Sequence, residues 1–192
     1  MSPKIILASK SKARRKLLKQ LGINFITASS IIKENHKLRG SCEKFVISNA
    51  LAKAKDVAAR FKSGIVVAAD TVVLANGRII GKPHNMKDAA RTLKLLSKKP
   101  QWVYTGIVVI DIDNKKTLFD YEKTKVYMNP LSDRMIKRYF AKVSPLDYAG
   151  SFDIQGFGSI FIDRIEGCFY NVVGLPVAKL AKLLSRVEVN IF

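Results

Sequence analysis

The chain predicts a mixed α/β protein with one continuous sheet as its spine. Short buried apolar runs alternate with stretches of helical periodicity in mixed order. An Asn-Gly pair between two apolar runs marks a tight hairpin. Over 192 residues there is no internal repeat, low-complexity linker or break in composition, so one domain covers residues 1–192. An apolar content of 48% suffices for its core.

The first unit reads as a buried strand over Lys4–Ala8, a helix from Ser11 to Leu21 stopped by Gly22, and a strand around Asn24–Ala28. Ser9 and Ser11 stand where strand becomes helix. The first N–H groups of a helix lack partners there and attract phosphate oxygens, and Ser9, Ser11, Lys12 and Arg14 complete such a cradle. A second helix is predicted over Cys42–Phe61, with an apolar stripe of Phe45, Ala50, Leu51, Ala54, Val57, Ala58 and Phe61, and Gly64 beyond it. Lys53 falls beside that stripe, where a snorkelling surface lysine is the plainer reading.

The run "IVVAA" predicts a buried strand ending on Asp70, an unusual depth for an acid. It is read either as a turn residue or as a functional carboxylate. Asn76-Gly77 then turns the hairpin, and Gly81-Lys82-Pro83 leads to a helix capped by Asn85 with Asp88 at its third position. The segments "QWVYTGIVVID" and "KTLFDYEKTKVYM" form a long antiparallel pair around Asp113-Asn114. Ser132 caps a helix bearing Met135, Ile136, Tyr139 and Phe140. The glycine-punctuated loop around Gln155 leads into a strand, and the chain closes on a helix with Pro176 near its first position. Glycines beside Gln155 suggest close backbone approach, to a ligand or within tight turns.

Charge and chemistry narrow the function. There are 34 Lys and Arg against 15 Asp and Glu, a formal charge of +19, which favours polyanions without choosing one. Cys42 and Cys168 lack metal-type spacing and read as free thiols of a reducing compartment. With only His36 and His84, a histidine-built metal site is not expected and a metal would be a hard ion on oxygen ligands. P-loop, dinucleotide, serine-hydrolase and zinc motifs are absent. Without a long apolar run, the expectation is a soluble, unexported protein with no membrane partner.

Several short blocks occur together: Leu7-Ala8-Ser9-x-Ser11 with Arg14, Ala69-Asp70-Thr71-Val72-Val73, Gly81-Lys82-Pro83, Thr105-Gly106, Ala149-Gly150-Ser151-Phe152 with Ile154-Gln155-Gly156, and Val172-Val173-Gly174-Leu175-Pro176. In this order they resemble the Maf family of septum-formation-like nucleoside triphosphate pyrophosphatases. The resemblance implies an elongated mixed sheet flanked by helices, with two lobes around a cleft, similar to the inosine-triphosphate pyrophosphatase fold. It implies cleavage between the α and β phosphates with a divalent cation, Mg²⁺ or Mn²⁺, in a cytoplasmic homodimer. Asp70 matches the catalytic carboxylate, a general base sharing the metal with Glu34. Lys53, Lys82 and Arg14 match phosphate-neutralising positions, and Ser9 a phosphate donor. Thr71 and Gln155 match the subfamily acting on dTTP and UTP, whereas Ala13 stands where that subfamily has arginine. Lys12, Lys16, Lys33, Lys98 and Gln101 also depart from the family pattern. The competing expectation is a noncatalytic nucleic-acid-binding or division-regulating protein on the same fold, and nonspecific nucleic-acid binding is an expected side property of the enzyme.

Overall fold

The computed structural model describes residues 3–32 and 40–191. Among them the strands β1 (Ile5–Leu7), β2 (Phe25–Thr27), β3 (Ile65–Ala75), β4 (Arg78–Ile80), β5 (Gln101–Asp111), β6 (Lys116–Met128) and β7 (Ile162–Glu166) follow the order β2-β1-β3-β5-β6-β7, with β4 paired to β3. The chain divides into two compact units, and β3, β5 and β6 each contribute residues to both.

The first unit comprises residues 1–70, 105–122 and 174–192. Strand β1 (Ile5–Leu7) pairs in parallel with β2 (Phe25–Thr27) on one side and β3 (Ile65–Ala75) on the other. A strand enclosed on both edges and faces can be wholly apolar, and all of β1 is buried. Helix α1 (Lys12–Gln20) starts at Ser11, whose Oγ accepts the Arg14 N–H at 3.3 Å, and buries Leu17 and Leu18. Gly22 follows with φ +68°, the left-handed conformation expected of a stop.

Helix α2 (Cys42–Ala58) is capped by Ser41 and lays Ala50, Ala54 and Val57 on Ile6, Ala8, Val66, Ala68 and Val108. It ends three residues before the predicted Phe61. Strand β5 (Gln101–Asp111) brings Gly106 against this helix: a Cβ there would lie 2.5 Å from the Val46 carbonyl carbon and 2.7 Å from the Ile47 nitrogen. Only glycine lets strand and helix backbones approach so closely. Strand β6 (Lys116–Met128) follows, and α6 (Val177–Ser185) completes the unit with Pro176 at its N-cap, one place earlier than the first helical position.

The second unit comprises residues 71–104 and 123–173. The end of β3 turns back into β4 (Arg78–Ile80) through Asn76 and Gly77 at φ +49° and +72°, the predicted primed turn. Asn85 caps α3 (Met86–Leu96) by accepting the Asp88 N–H at 2.9 Å, and the Asp88 carboxylate accepts the His84 N–H at 3.1 Å. Ser132 caps α4 (Asp133–Phe140). Leu93, Leu96, Ile136, Tyr139, Phe152 and Phe161 form the core. Three short 3₁₀ turns lie between residues 145 and 161, ahead of β7 (Ile162–Glu166), which pairs antiparallel with β6, and α5 (Phe169–Val173).

Candidate active site

The parallel register pairs Leu7 with Val67 and continues through a 2.8 Å bond from the Ala8 N–H to the Val67 carbonyl. Strand β1 ends at Leu7 and leads to Ser9, whereas β3 does not end on Asp70, as the apolar run before it predicts, but runs on through it to Ala75 because the hairpin partner β4 extends it, so Asp70 lies within the strand and is not a turn residue.

Ser9 is buried, and its Oγ accepts from the Ser11 N–H at 3.2 Å and from Arg14 Nη1 at 3.3 Å. With two donors on the oxygen, the hydroxyl proton is what Ser9 has to offer a ligand. Arg14 is fixed in turn by donating Nε to the Gly174 carbonyl at 2.7 Å. The Gly174-Leu175-Pro176 block therefore acts locally, holding the guanidinium against the helix mouth. Ala13 is half-buried on α1, and Lys12 and Lys16 are exposed.

Asp70 is 5% exposed, in keeping with a buried strand on both faces. Its Oδ1 accepts from Lys53 Nζ at 2.6 Å and its Oδ2 from Asn49 Nδ2 at 3.1 Å. Lys53 is not the snorkelling surface residue that its sequence neighbourhood favours. Its side chain is 11% exposed and its ammonium is committed to the carboxylate. A buried charge requires such compensation. Asn49 escapes a reading of the sequence, although a lone amide four residues before Lys53 on an apolar face is a readable signal.

In the second unit, Thr71 is half-buried immediately after Asp70, and Lys82 is exposed in the loop after β4. That loop is tied to the Ala149–Ser151 turn, because the Gly150 N–H donates to the Gly81 carbonyl at 3.2 Å. Gln155 is half-buried, and its N–H donates to Asp153 Oδ1 at 2.9 Å. The Asp153 N–H donates to Tyr139 Oη at 3.0 Å. Burial pushes the Tyr139 phenol up to about 12. The glycines around Gln155 meet protein rather than open space: a Cβ on Gly158 would lie 2.5 Å from the Asp153 carbonyl oxygen.

Glu34 lies outside the described residues. Among the described residues no group of three His, Cys, Asp or Glu side chains forms a metal cluster. The donor set still suits a Mg²⁺-type ion, which takes one or two carboxylates and completes its shell with substrate phosphates and water. Each Asp70 oxygen carries two lone pairs and accepts one hydrogen bond from an α2 side chain.

A family model described as Maf-like protein matches residues 4–187. A dTTP/UTP pyrophosphatase of Clostridium tetani is 42% identical over 189 residues, covering 97% of this chain and 98% of its own. The dTTP/UTP pyrophosphatase of Methanosarcina barkeri is likewise 42% identical over 189 residues, covering 98% and 96%. Among solved structures, a HAM1 protein from Coxiella burnetii aligns over 96% of this chain and 99% of its own, with TM-score 0.56 at 15% identity. That likeness is one of fold.

Proposed function

The chain belongs to the Maf family, and on that premise we propose that Asp70, Lys53 and the cradle of Ser9, Ser11 and Arg14 serve its reaction. The enzyme hydrolyses nucleoside triphosphates to monophosphate and pyrophosphate, with dTTP and UTP favoured. The observation that carries the site reading is the buried Asp70 carboxylate, fixed through both oxygens by Lys53 and Asn49.

The substrate brings several negative charges. Ser9 donates its hydroxyl proton to a phosphate oxygen, the N-terminus of α1 attracts the phosphates, and Arg14, Lys53 and Lys82 offset their charge. Asp70 accepts a proton from the attacking water as its oxygen bonds to the α phosphorus. The bond from that phosphorus to the bridging oxygen breaks, and pyrophosphate leaves with the electron pair. A divalent cation, Mg²⁺ or Mn²⁺, held by Asp70 with Glu34, would supply charge neutralisation at the phosphates. Thr71 and Gln155 are assigned to the base, and Asp153 with Tyr139 holds the Gln155 segment.

The same reading takes residues 1–192 as one domain, since three strands contribute to both compact units, and the protein as a cytoplasmic homodimer. No helix among the described residues is long and apolar enough to cross a membrane. Nonspecific nucleic-acid binding is retained as a side property. It is supported by the basic outer face of α1, where Lys12, Arg15, Lys16 and Lys19 stand together at helical spacing.

The test is product identity. Purified protein with dTTP or UTP and Mg²⁺ or Mn²⁺ is expected to release monophosphate and pyrophosphate. Diphosphate with orthophosphate, or no turnover on any nucleotide, would remove the assignment.

A further inference from the structure

Asp70 is not held symmetrically. One oxygen faces an ammonium at 2.6 Å, and the other faces a neutral amide at 3.1 Å. Both donors come from one face of α2, four residues apart, so the helix presents them as a pair. We infer that Asn49 is a positioning residue that aims Asp70 Oδ2 at the water, so that Oδ2 takes the proton while Oδ1 stays with Lys53. The inference rests on the reading of Asp70 as the base.

The burial of Asn49 needs a cause. It is 7% exposed among Val46, Ala50 and Ala54, and an apolar side chain would fill that place without desolvating an amide. Its orientation follows from charge, since an amide oxygen turned toward the carboxylate would be repelled whereas Nδ2 donates. The position of α2 is fixed as well. Gly106 of β5 admits the Val46–Ile47 backbone at a separation no Cβ would allow, and Asn49 lies one turn further along.

The two contacts divide the work of the carboxylate. Oδ1 is engaged by a charge-assisted bond, which is the stronger of the two types. Oδ2 accepts from the neutral amide and has a second lone pair. As the O–P bond forms, the water O–H bond breaks and its proton moves to that lone pair. Lys53 remains on Oδ1, so the carboxyl does not rotate when it becomes neutral.

Two variants test this, Asn49→Leu and Asp70→Asn, with kcat and KM measured on dTTP and folding checked by denaturant titration. Asn49→Leu keeps the volume and loses the donor. It is expected to lower kcat about tenfold with KM within about twofold, because Asn49 contacts the base and not the nucleotide. A merely structural role moves the denaturant midpoint and leaves kcat of the folded fraction at the wild-type value. Where Leu disturbs folding, Asn49→Ala takes its place. Wild-type kcat in the folded Asn49→Leu variant overturns the inference. If Asp70→Asn is inactive while Asn49→Leu is normal, only the role of Asn49 falls. If Asp70→Asn retains turnover, the base reading and this inference fall together.

Discussion

Replacing Gly106 by alanine tests how far the site depends on the seating of α2. The added Cβ would sit 2.5 Å from the Val46 carbonyl carbon, 2.6 Å from its oxygen and 2.7 Å from the Ile47 nitrogen. All three are backbone atoms, so no side chain can swing aside. Restoring ordinary contact requires the helix and strand to part by about 1 Å. A shift of that size takes the 3.1 Å Asn49 bond beyond hydrogen-bonding range and stretches the 2.6 Å Lys53 contact. Overpacking of this kind costs about 1–3 kcal/mol of stability, and a misplacement of about 1 Å at a catalytic group can cost roughly 10²-fold in rate. The expected result is a lowered urea midpoint together with a loss of kcat on dTTP near a hundredfold in the still folded protein. Conditions are chosen so that over nine-tenths of the variant is native, which separates unfolding from misalignment. A variant with unchanged midpoint would show that the close approach is not sustained in solution. A destabilised variant with full kcat would show that Asp70 does not rely on the placement of α2.

Asp70→Asn preserves shape but cannot accept the proton, and is expected to lower turnover by roughly 10²–10⁴ with the fold intact by circular dichroism. Tyr139 has its folded pKa raised to about 12 from 10.0, so its contribution to stability is full below pH 10 and is lost as pH rises toward 12; Tyr139→Phe should flatten that part of the alkaline stability curve, measured by urea midpoints against pH. Introducing a guanidinium by Ala13→Arg adds charge-assisted bonding worth roughly 1.5–3 kcal/mol, and should raise the preference for dTTP and UTP over CTP and GTP about tenfold or more in kcat/KM. Unchanged discrimination would place base choice elsewhere. Reversing Lys16 and Lys19 to glutamate should weaken salt-sensitive, sequence-independent binding to single-stranded DNA and reduce its salt slope, with hydrolysis of dTTP unaffected.

Elements are legible in the sequence where local chemistry decides them. Ser11, Asn85 and Ser132 cap the helices their sequence positions predict, and Asn76-Gly77 turns the hairpin. The cradle at Ser9 is legible for the same reason, being set by where β1 ends; the depth of Asp70 is legible from the apolar run before it, although the strand runs on past it to Ala75. What escapes depends on residues distant in sequence. Lys53 looks like a surface lysine until Asp70 is placed opposite it, and Asn49 has no meaning without the same partner. Gly106 carries no turn signature, because its requirement comes from α2 and not from its own φ. Gln101, a departure from the family pattern, is fully buried, and with its amide nitrogen turned toward them it can donate to the Leu96 and Lys99 carbonyls at 3.1 Å beyond the end of α3. Its role is local to that helix end and leaves the Asp70 group untouched. The short helix α5 is invisible in the sequence because five residues give no period to read.

The departures at the start of α1 change the charge around the cradle without dismantling it. None of the hydrogen bonds that build it uses the side chains of Lys12, Ala13 or Lys16: Ser9 Oγ, Ser11 Oγ, the Arg14 guanidinium and the Gly174 carbonyl suffice. Lys12 instead adds a cation at the positive end of the helix, and the first turn of α1 contains no acid. That arrangement opposes the helix dipole by about 0.3–1 kcal/mol per charge at low ionic strength, and neighbouring cations a turn apart add to it. The cost applies to the free protein, and an arriving triphosphate relieves it by neutralising the same field. The basic mouth thus trades stability of the empty helix for attraction of a polyanion, in line with the proposed nucleotide site inside the cradle and the proposed salt-sensitive binding along its outer face.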